Sequence, residues 1–321
     1  MKKWIKRISV FALTILIVMS DADIMTFAET VSDNAISCDE KLMEKEAITN
    51  EINTEADEDV FVRKSDAIIV ASRIDTNLEW SLDSNGLLLV SVDGDLGSDC
   101  LSRSIMKDNV DKAEVNYIKV TGKGSGSCSL LFGNFKKVVQ IDISNFDTSD
   151  VTDMSSMFLG CTLLKKINLG DFDTSNVTDM SFMFQYCKNL QEIDLHKCDT
   201  SKVIRMERMF DYCESLQKLD LSNFNTSSVT YMQFMFSECR SLQEIDLSKF
   251  DTSKVTDMSG MFLQCNVLQK LDLNNFNTSN VTNMQMMFDH CESLQKLGIS
   301  NFNTSKVTDM NTMFRGCHNL Q

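Results

Sequence analysis

The stretch "FDTSKVTDMSGMFLQC", from Phe250 to Cys265, decides the fold because near-copies of it recur throughout the second half of the chain. Its first residue belongs to a column spaced 26 positions apart and interrupted by one cysteine: Phe146, Phe172, Cys198, Phe224, Phe250, Phe276 and Phe302. Its last residue belongs to a cysteine column with the same spacing: Cys161, Cys187, Cys213, Cys239, Cys265, Cys291 and Cys317. Self-similarity at a fixed period of this length is typical of solenoid proteins.

The segment from Leu164 to Leu190 shows what one repeat contains. "LKKINL" (164–169) predicts a short strand, and the "DTSN" that follows is typical of a turn held by side-chain hydrogen bonds. Thr178 or Asp179 can cap the next element with a side-chain oxygen. That element is a predicted short helix, with five apolar residues on one face: Val177, Met180, Met183, Phe184 and Cys187.

One such repeat cannot fold alone, because burying its few apolar side chains does not offset the entropy lost on ordering the whole repeat. Stacked repeats pair their strands in parallel, about 4.8 Å apart, and cover each other's apolar faces. We therefore predict an α/β repeat solenoid of leucine-rich-repeat type over residues 120–321, with a parallel β-strand stack and short helices. The last repeat is incomplete, so we expect the chain to be a fragment or an incomplete gene product.

A β-rich N-terminal cap module is predicted over residues 66–119. "NLEWSLDSNGLLLVSVDGDL" alternates apolar and polar residues around Asn85-Gly86, which is a strong hairpin signal. "VNYIKV" (Val115–Val120) indicates another strand. The glycine-rich "TGKGSGSC" that follows lacks the spacing of a phosphate-binding loop, which argues against nucleotide binding.

The N-terminal residues have the pattern of a secretory signal peptide over residues 1–28. A basic start precedes the apolar run Ile8–Met19, and "TFA" (26–28) supplies small residues for cleavage after Ala28. The apolar run is shorter than the roughly 20 residues that span a bilayer, although a retained signal anchor is the alternative. Residues 29–65 predict an acidic flexible spacer. We expect no transmembrane segment in the mature chain, and attachment to a cell wall could follow beyond Gln321.

The net charge of the chain is −15 at pH 7. A surface of this sign repels phosphates, so the charge argues against nucleic acid or an anionic membrane as the main partner.

The strand half of the repeat, L-x-x-I-x-L-x-x-F, resembles that of a leucine-rich repeat. The whole unit resembles the BspA-like leucine-rich-repeat surface proteins of bacteria, whose repeats read F-D-T-S-x-V-T-D-M-S-x-M-F-x-x-C-x-x-L-x-x-L-D-L. Residues 120–321 match this pattern. The segment "WSLDSNGLLLVSVDG" looks like the hairpin module that often precedes such repeats. The resemblance implies an exported or wall-attached protein of the kind often assigned to adhesion, with no catalytic residues to carry over. Cys198, "VIRMERM" (Val203–Met209) and Gly298 depart from the pattern, which puts the helix cap of the third repeat in doubt.

The residues that could carry reactive chemistry have ordinary structural explanations. The cysteine column lies among Met, Phe and Leu, which predicts free buried thiols. Cys100 with Cys128 is the better candidate for a disulfide, and we expect Cys38 to be unpaired. There is no C-x-x-C, and three scattered histidines assemble neither a zinc site nor a catalytic set, so we expect no enzyme activity. The recurring threonines are predicted to build turns: Thr148, Thr174, Thr200 and Thr226.

Two exposed strand columns are predicted. The first alternates in sign between repeats and is predicted to be structural: Lys166, Glu192, Lys218, Glu244, Lys270 and Lys296. The second is acidic: Asp142, Asn168, Asp194, Asp220, Asp246, Asp272 and Gly298. It is either a solvated face eased by the neighbouring lysines, or a binding stripe through Asp194, Asp220, Asp246 and Asp272 for Ca²⁺ or for a basic or glycan partner.

Together these patterns favour a secreted or cell-surface protein that binds host matrix proteins, other cells or glycans through the solenoid face. The first alternative is a structural spacer that displays a C-terminal module beyond residue 321. The second is an enzyme whose catalytic domain lies beyond that point. No cofactor is expected other than Ca²⁺.

Overall fold

The computed structural model of the chain describes residues 67–96, 101, 105 and 111–321. The predicted signal peptide (1–28), the predicted spacer (29–65), Cys38 and Cys100 lie outside the described residues. Within the described part, no helix has the length and apolar character needed to cross a membrane.

Apart from Leu101 and Ile105, which are helical, strands and one short 3-10 turn (Lys112–Glu114) make up the regular secondary structure of the described residues. The strands are β1 (Ile69–Ile74), β2 (Leu78–Asp83), β3 (Leu87–Asp95), β4 (Tyr117–Ser127), β5 (Gln140–Asp153), β6 (Lys166–Asn168), β7 (Lys270–Asp272) and β8 (Lys296–Gly298). By internal contacts the chain divides into two units. The first contains the described residues up to Arg73 together with Ser81–Leu87, and the second contains Ile74–Trp80 and Leu88–Gln321.

The first unit contains the predicted hairpin turn. Gly86 has a φ of 81° and its amide donates to the carbonyl of Asp83 at 3.0 Å. The carboxylate of Asp83 accepts from the amides of Asn85 (2.9 Å) and Leu87 (3.0 Å). The turn at Asn85-Gly86 is thereby confirmed, because only a residue without a Cβ adopts this φ without strain. The limits of the cap module, 66–119, stay a prediction.

The second unit is a parallel β-solenoid, as predicted. Strands β3 to β6 are neighbours in chain order, and β5 pairs in parallel with both β4 and β6. Single parallel bridges then continue the ladder in steps of 26 residues, from Asp153↔Asp179 to Asn283↔Asp309. We call each 26-residue turn of this ladder a rung. Since no residue is inserted between rungs, equivalent side chains stack directly above one another.

The predicted short helices are wrong. Two positions in every rung have left-handed φ values between 55° and 75°, for example Phe182 and Tyr186. A right-handed helix cannot run through such residues, so the segment is a series of tight turns. Successive amides of this segment donate alternately to the next rung and to their own rung. Phe184 N donates to Met209 O on the next rung (2.9 Å), whereas Met183 N donates to Met180 O in its own rung (3.4 Å).

A continuous stack of phenylalanine rings runs through the solenoid, and every ring in it except Phe314 is buried. Ring centroids of neighbouring rungs lie 5.3 to 6.0 Å apart with nearly parallel planes. The stack contains Phe132, Phe158, Phe184, Phe210, Phe236, Phe262, Phe288 and Phe314. Each such contact contributes about 0.5–1.5 kcal/mol beyond the burial of apolar area, so the stack favours perfect register between rungs.

The cysteine column lies beside this stack, and the predicted free thiols are confirmed. Every cysteine in the described residues is free, and each thiol of the column donates to a phenylalanine carbonyl on the preceding rung. Cys187 Sγ, for example, lies 3.2 Å from Phe158 O. Cys128 is also a free buried thiol, which contradicts the disulfide with Cys100. Burial raises the pKa of the Cys161 thiol to about 12.

The buried threonines lie in turns, as predicted: the carbonyl of Thr226, for example, accepts from the amide of Val229 at 2.9 Å. Their side chains also join one rung to the next. Thr226 Oγ1 donates to the carbonyl of Asp251 (2.9 Å) and accepts from the amide of the same residue (2.8 Å). The turns are also held by the aspartate or asparagine before each threonine. Asp251 Oδ1, for example, accepts from the amide of Ser253 at 2.9 Å.

Replacing Thr226 with valine should lower the free energy of unfolding by about 1–3 kcal/mol, because it leaves a buried amide and carbonyl unpaired while keeping the shape. Thr256 is exposed, so Thr256→Val is the matched control and should change stability by less than about 0.5 kcal/mol. Urea unfolding of the two variants makes the comparison. Equal effects at both sites would contradict the rung-joining role.

The buried thiols should also make the protein less stable in alkali. They stay neutral in the folded chain, whereas thiols of the unfolded chain ionise near pH 9, so stability present below pH 9 is lost as the pH rises. Cys161→Ala should be less stable than the parent chain at pH 8. That gap should narrow by about 2 kcal/mol at pH 10.5, since one ionising thiol is removed. Urea unfolding under reducing conditions tests this, and a gap that is independent of pH contradicts it.

Candidate functional site

The four predicted site residues lie at the same position of four successive rungs, and all are exposed: Asp194, Asp220, Asp246 and Asp272. We call this set the acidic column. The other members of the predicted series differ, because Asp142 is buried and Asn168 and Gly298 carry no charge. The structure therefore brings the predicted carboxylates into one line on the surface.

Each carboxylate of the acidic column also has a local structural role that we did not predict. Oδ1 of Asp220 accepts from the amide of Ser222 at 2.9 Å, and Oδ1 of Asp246 accepts from the amide of Ser248 at 2.9 Å. Hydrogen bonds from the serine amide and then the serine side chain lower the pKa of both carboxyls. The signal was present in the sequence as Asp followed by Ser two residues later, which is typical of a side-chain turn.

Asp194 differs from the other members because His196 replaces serine beside it. Its Oδ1 accepts from the amide of His196 (3.1 Å) and contacts the ring nitrogen Nδ1. The His196 side chain is the main cause of a lowered pKa of this carboxyl. Asp194 nevertheless stays 73% exposed, so a partner can reach it.

The neighbouring Lys/Glu column is the one predicted to be structural because its charges alternate in sign. All six members are exposed: Lys166, Glu192, Lys218, Glu244, Lys270 and Lys296. In the part of the chain that the structure describes, no ion pair within 4.0 Å joins any two of them. These charges face solvent beside the acidic column without close ion pairs, and their structural role stays a prediction.

The acidic column does not form a metal cage. Across residues 67–96 and 111–321, no group of three or more His, Cys, Asp or Glu side chains comes together in a way that could hold a metal ion. Ca²⁺ takes six to eight oxygen ligands, whereas this surface presents one carboxylate per rung. Any cation bound here would need ligands from a partner.

The third repeat has Arg205, which cannot accept a hydrogen bond, where the two preceding repeats have Asp153 and Asp179. The predicted helix cap does not exist in this repeat or its neighbours, because the segment is a series of turns. Arg205 Nε lies 3.3 Å from Asp179 Oδ2, and its guanidinium contacts the buried Glu207. Arg208 pairs with the buried Asp211 at 2.8 Å. The charged residues of "VIRMERM" therefore form ion pairs with one another and with neighbouring carboxylates.

Charge and turn formation in the acidic column can be separated by mutation. An Asp220→Asn/Asp246→Asn double variant should keep the parent's urea midpoint, because the amide oxygen still accepts from the serine amide. Asp220→Ala/Asp246→Ala should unfold at lower urea, because both turn bonds are lost. If the asparagine variant is as unstable as the alanine variant, the turn requires the charge itself and this assignment is wrong.

Comparisons with known proteins bear on the repeat region. No curated protein matches the chain. Solved structures with some likeness include a leucine-rich repeat protein of T. pallidum, with 20% identity and a TM-score of 0.34 over 75% of this chain and 87% of that one. A leucine-rich repeat protein of Eubacterium ventriosum has 13% identity and a TM-score of 0.27 over 77% of this chain and 95% of that one. A leucine rich cell surface protein of Faecalibacterium prausnitzii has 14% identity and a TM-score of 0.24 over 78% of this chain and 93% of that one.

A family model matches residues 126–246 and 234–321, which together make up more than half of the chain. The match covers the solenoid from its first complete rungs onwards and confirms the resemblance to BspA-like leucine-rich repeats. The chain therefore belongs to the family described as Mycoplasma protein of unknown function, DUF285.

Proposed function

We propose that this protein is a non-enzymatic binding protein, secreted or displayed at the cell surface, whose solenoid face binds a host matrix protein, another cell or a glycan. The observation that carries the proposal is the acidic column, in which four carboxylates are exposed in register on successive rungs. The interior positions of each rung are occupied by packing, so recognition has to use exposed columns such as this one.

The charge of the acidic column is not needed for folding. Asn168 occupies the same position one rung before Asp194, so the solenoid accepts a neutral side chain there. Carboxylates about 5 Å apart, the spacing of parallel strands, repel each other. A protein that retains four of them in line accepts this repulsion, and a partner that presents basic or hydrogen-bond-donating groups would relieve it.

Export rests on the signal-peptide pattern of residues 1–28, with its basic start and short apolar run. An exported chain with an acidic repeat face fits adhesion better than binding to nucleic acid, whose phosphates it would repel. Attachment to a cell wall through sequence beyond Gln321 is compatible with this role.

The full chain should bind saturably to at least one component of an array of matrix proteins and glycans, probed with and without Ca²⁺. Asp220→Asn/Asp246→Asn should weaken that binding about tenfold or more, since two charge contacts worth roughly 1 kcal/mol each are removed. The binding should also weaken with added salt. No binding by well-folded protein would favour the alternative, a spacer that carries a module elsewhere in a longer chain.

A further inference from the structure

The phenylalanine column at the start of each repeat is broken once, by Cys198, and the break leaves a cavity of about 230 Å³. Phe172 and Phe224 occupy the same position one rung before and one rung after. Gly170 lines the opening on the rung before Cys198. Cys198 thus leaves space at a position that a phenylalanine ring occupies in the neighbouring rungs.

The cavity has an apolar floor and a polar rim. Leu169, Phe172 and Cys198 are buried and line the floor. The rim contains Asn168, Asp194, His196 and Lys197, all exposed. An apolar surface with a few convergent polar groups is the usual arrangement of a small-molecule site. The side chains of the rim offer an amide, a carboxylate and an imidazole within one small opening.

The charges of the rim are largely compensated before any ligand arrives. Lys197 Nζ lies 2.6 Å from Asp171 Oδ1 and 3.4 Å from the carbonyl oxygen of Gly170. Asp194 is in contact with His196. An anionic ligand would lie close to the carboxylates of Asp171 and Asp194, while the ammonium of Lys197 is already paired with Asp171. The rim therefore disfavours anionic ligands. A neutral ligand rich in hydroxyl groups meets no such penalty.

Cys198 is not a reactive group in this cavity. Burial raises the pKa of its thiol to about 12, so it is neutral at physiological pH. A neutral thiol is a weak nucleophile. The cysteine therefore contributes space and an apolar wall, which favours reversible binding.

We propose that this cavity binds one neutral monosaccharide unit of a glycan. The carboxylate of Asp194 accepts from two neighbouring sugar hydroxyls, while Asn168 and His196 donate and accept around the ring. The C–H face of the sugar covers the apolar floor. This site rests on the proposed binding function and names a ligand class for one end of the acidic column.

Cys198→Phe tests the proposal because it restores the residue that the column carries elsewhere. It should close the cavity while leaving Asp220 and Asp246 exposed. Neutral methyl glycosides of glucose, galactose, mannose and N-acetylglucosamine are the probes, with methyl glucuronide as the anionic comparator. Saturation-transfer NMR should show at least one neutral glycoside binding the full-length parent chain with a Kd on the order of 1 mM. The signal should be lost in Cys198→Phe and be at least tenfold weaker for the glucuronide.

A second pair of variants covers the case in which Cys198→Phe does not fold. Asp194→Ala should weaken glycoside binding at least tenfold. Asp251→Ala removes an exposed carboxylate that also accepts from an amide two residues later but lies outside the acidic column and the cavity, so it should leave glycoside binding unchanged. Equal effects of the two variants would overturn the proposal, as would unchanged binding in folded Cys198→Phe or the absence of binding by every neutral glycoside. A partner on the matrix array that needs Asp220 and Asp246, with no glycoside bound, would reject the cavity and keep the binding function.

Discussion

The solenoid depends on one constraint, which is that backbone amides and carbonyls of neighbouring rungs pair in strict register. Amides such as Phe184 N and Tyr186 N reach carbonyls of the following rung at 2.9 Å, and buried threonines add a paired side-chain bond per rung. An insertion of one residue would misplace all of these bonds together. The invariant period of the chain, the phenylalanine stack and the cysteine column follow from this requirement.

Much of the fold could be predicted from the sequence because inward columns repeat without drift. The parallel stacking, the buried thiols and the turn at Asn85-Gly86 follow from spacing and residue type alone. The predicted helix failed because its apolar spacing also fits a series of tight turns whose inward positions coincide. Bulky residues such as Phe182 and Phe234 do not indicate a left-handed backbone, because that conformation costs about 1–2 kcal/mol for each non-glycine residue that adopts it. Gly260, at the position of Phe234 one rung later, was the available clue.

The candidate site, like the fold, could be predicted only in part. The position of Asp194, Asp220, Asp246 and Asp272 on one exposed line was predictable from the period. Their turn bonds depend on local backbone geometry, and the threonine bonds depend on partners 25 residues away, so neither follows from residue type. The surface is where the rungs differ from one another, since the interior tolerates few changes. Cys198, His196 and Arg205 all fall in one part of the solenoid, where the sequence departs most from the repeat.

The most direct test of this account is the hydrogen-bond partner of one amide in the segment first predicted to be helical. NMR scalar coupling across the hydrogen bond of Phe210 N–H identifies the accepting carbonyl. The solenoid predicts coupling to the carbonyl carbon of Met235 on the next rung, where the N···O distance is 3.0 Å. Coupling to Met206, four residues earlier, would indicate an α-helix and would contradict the rung-to-rung ladder.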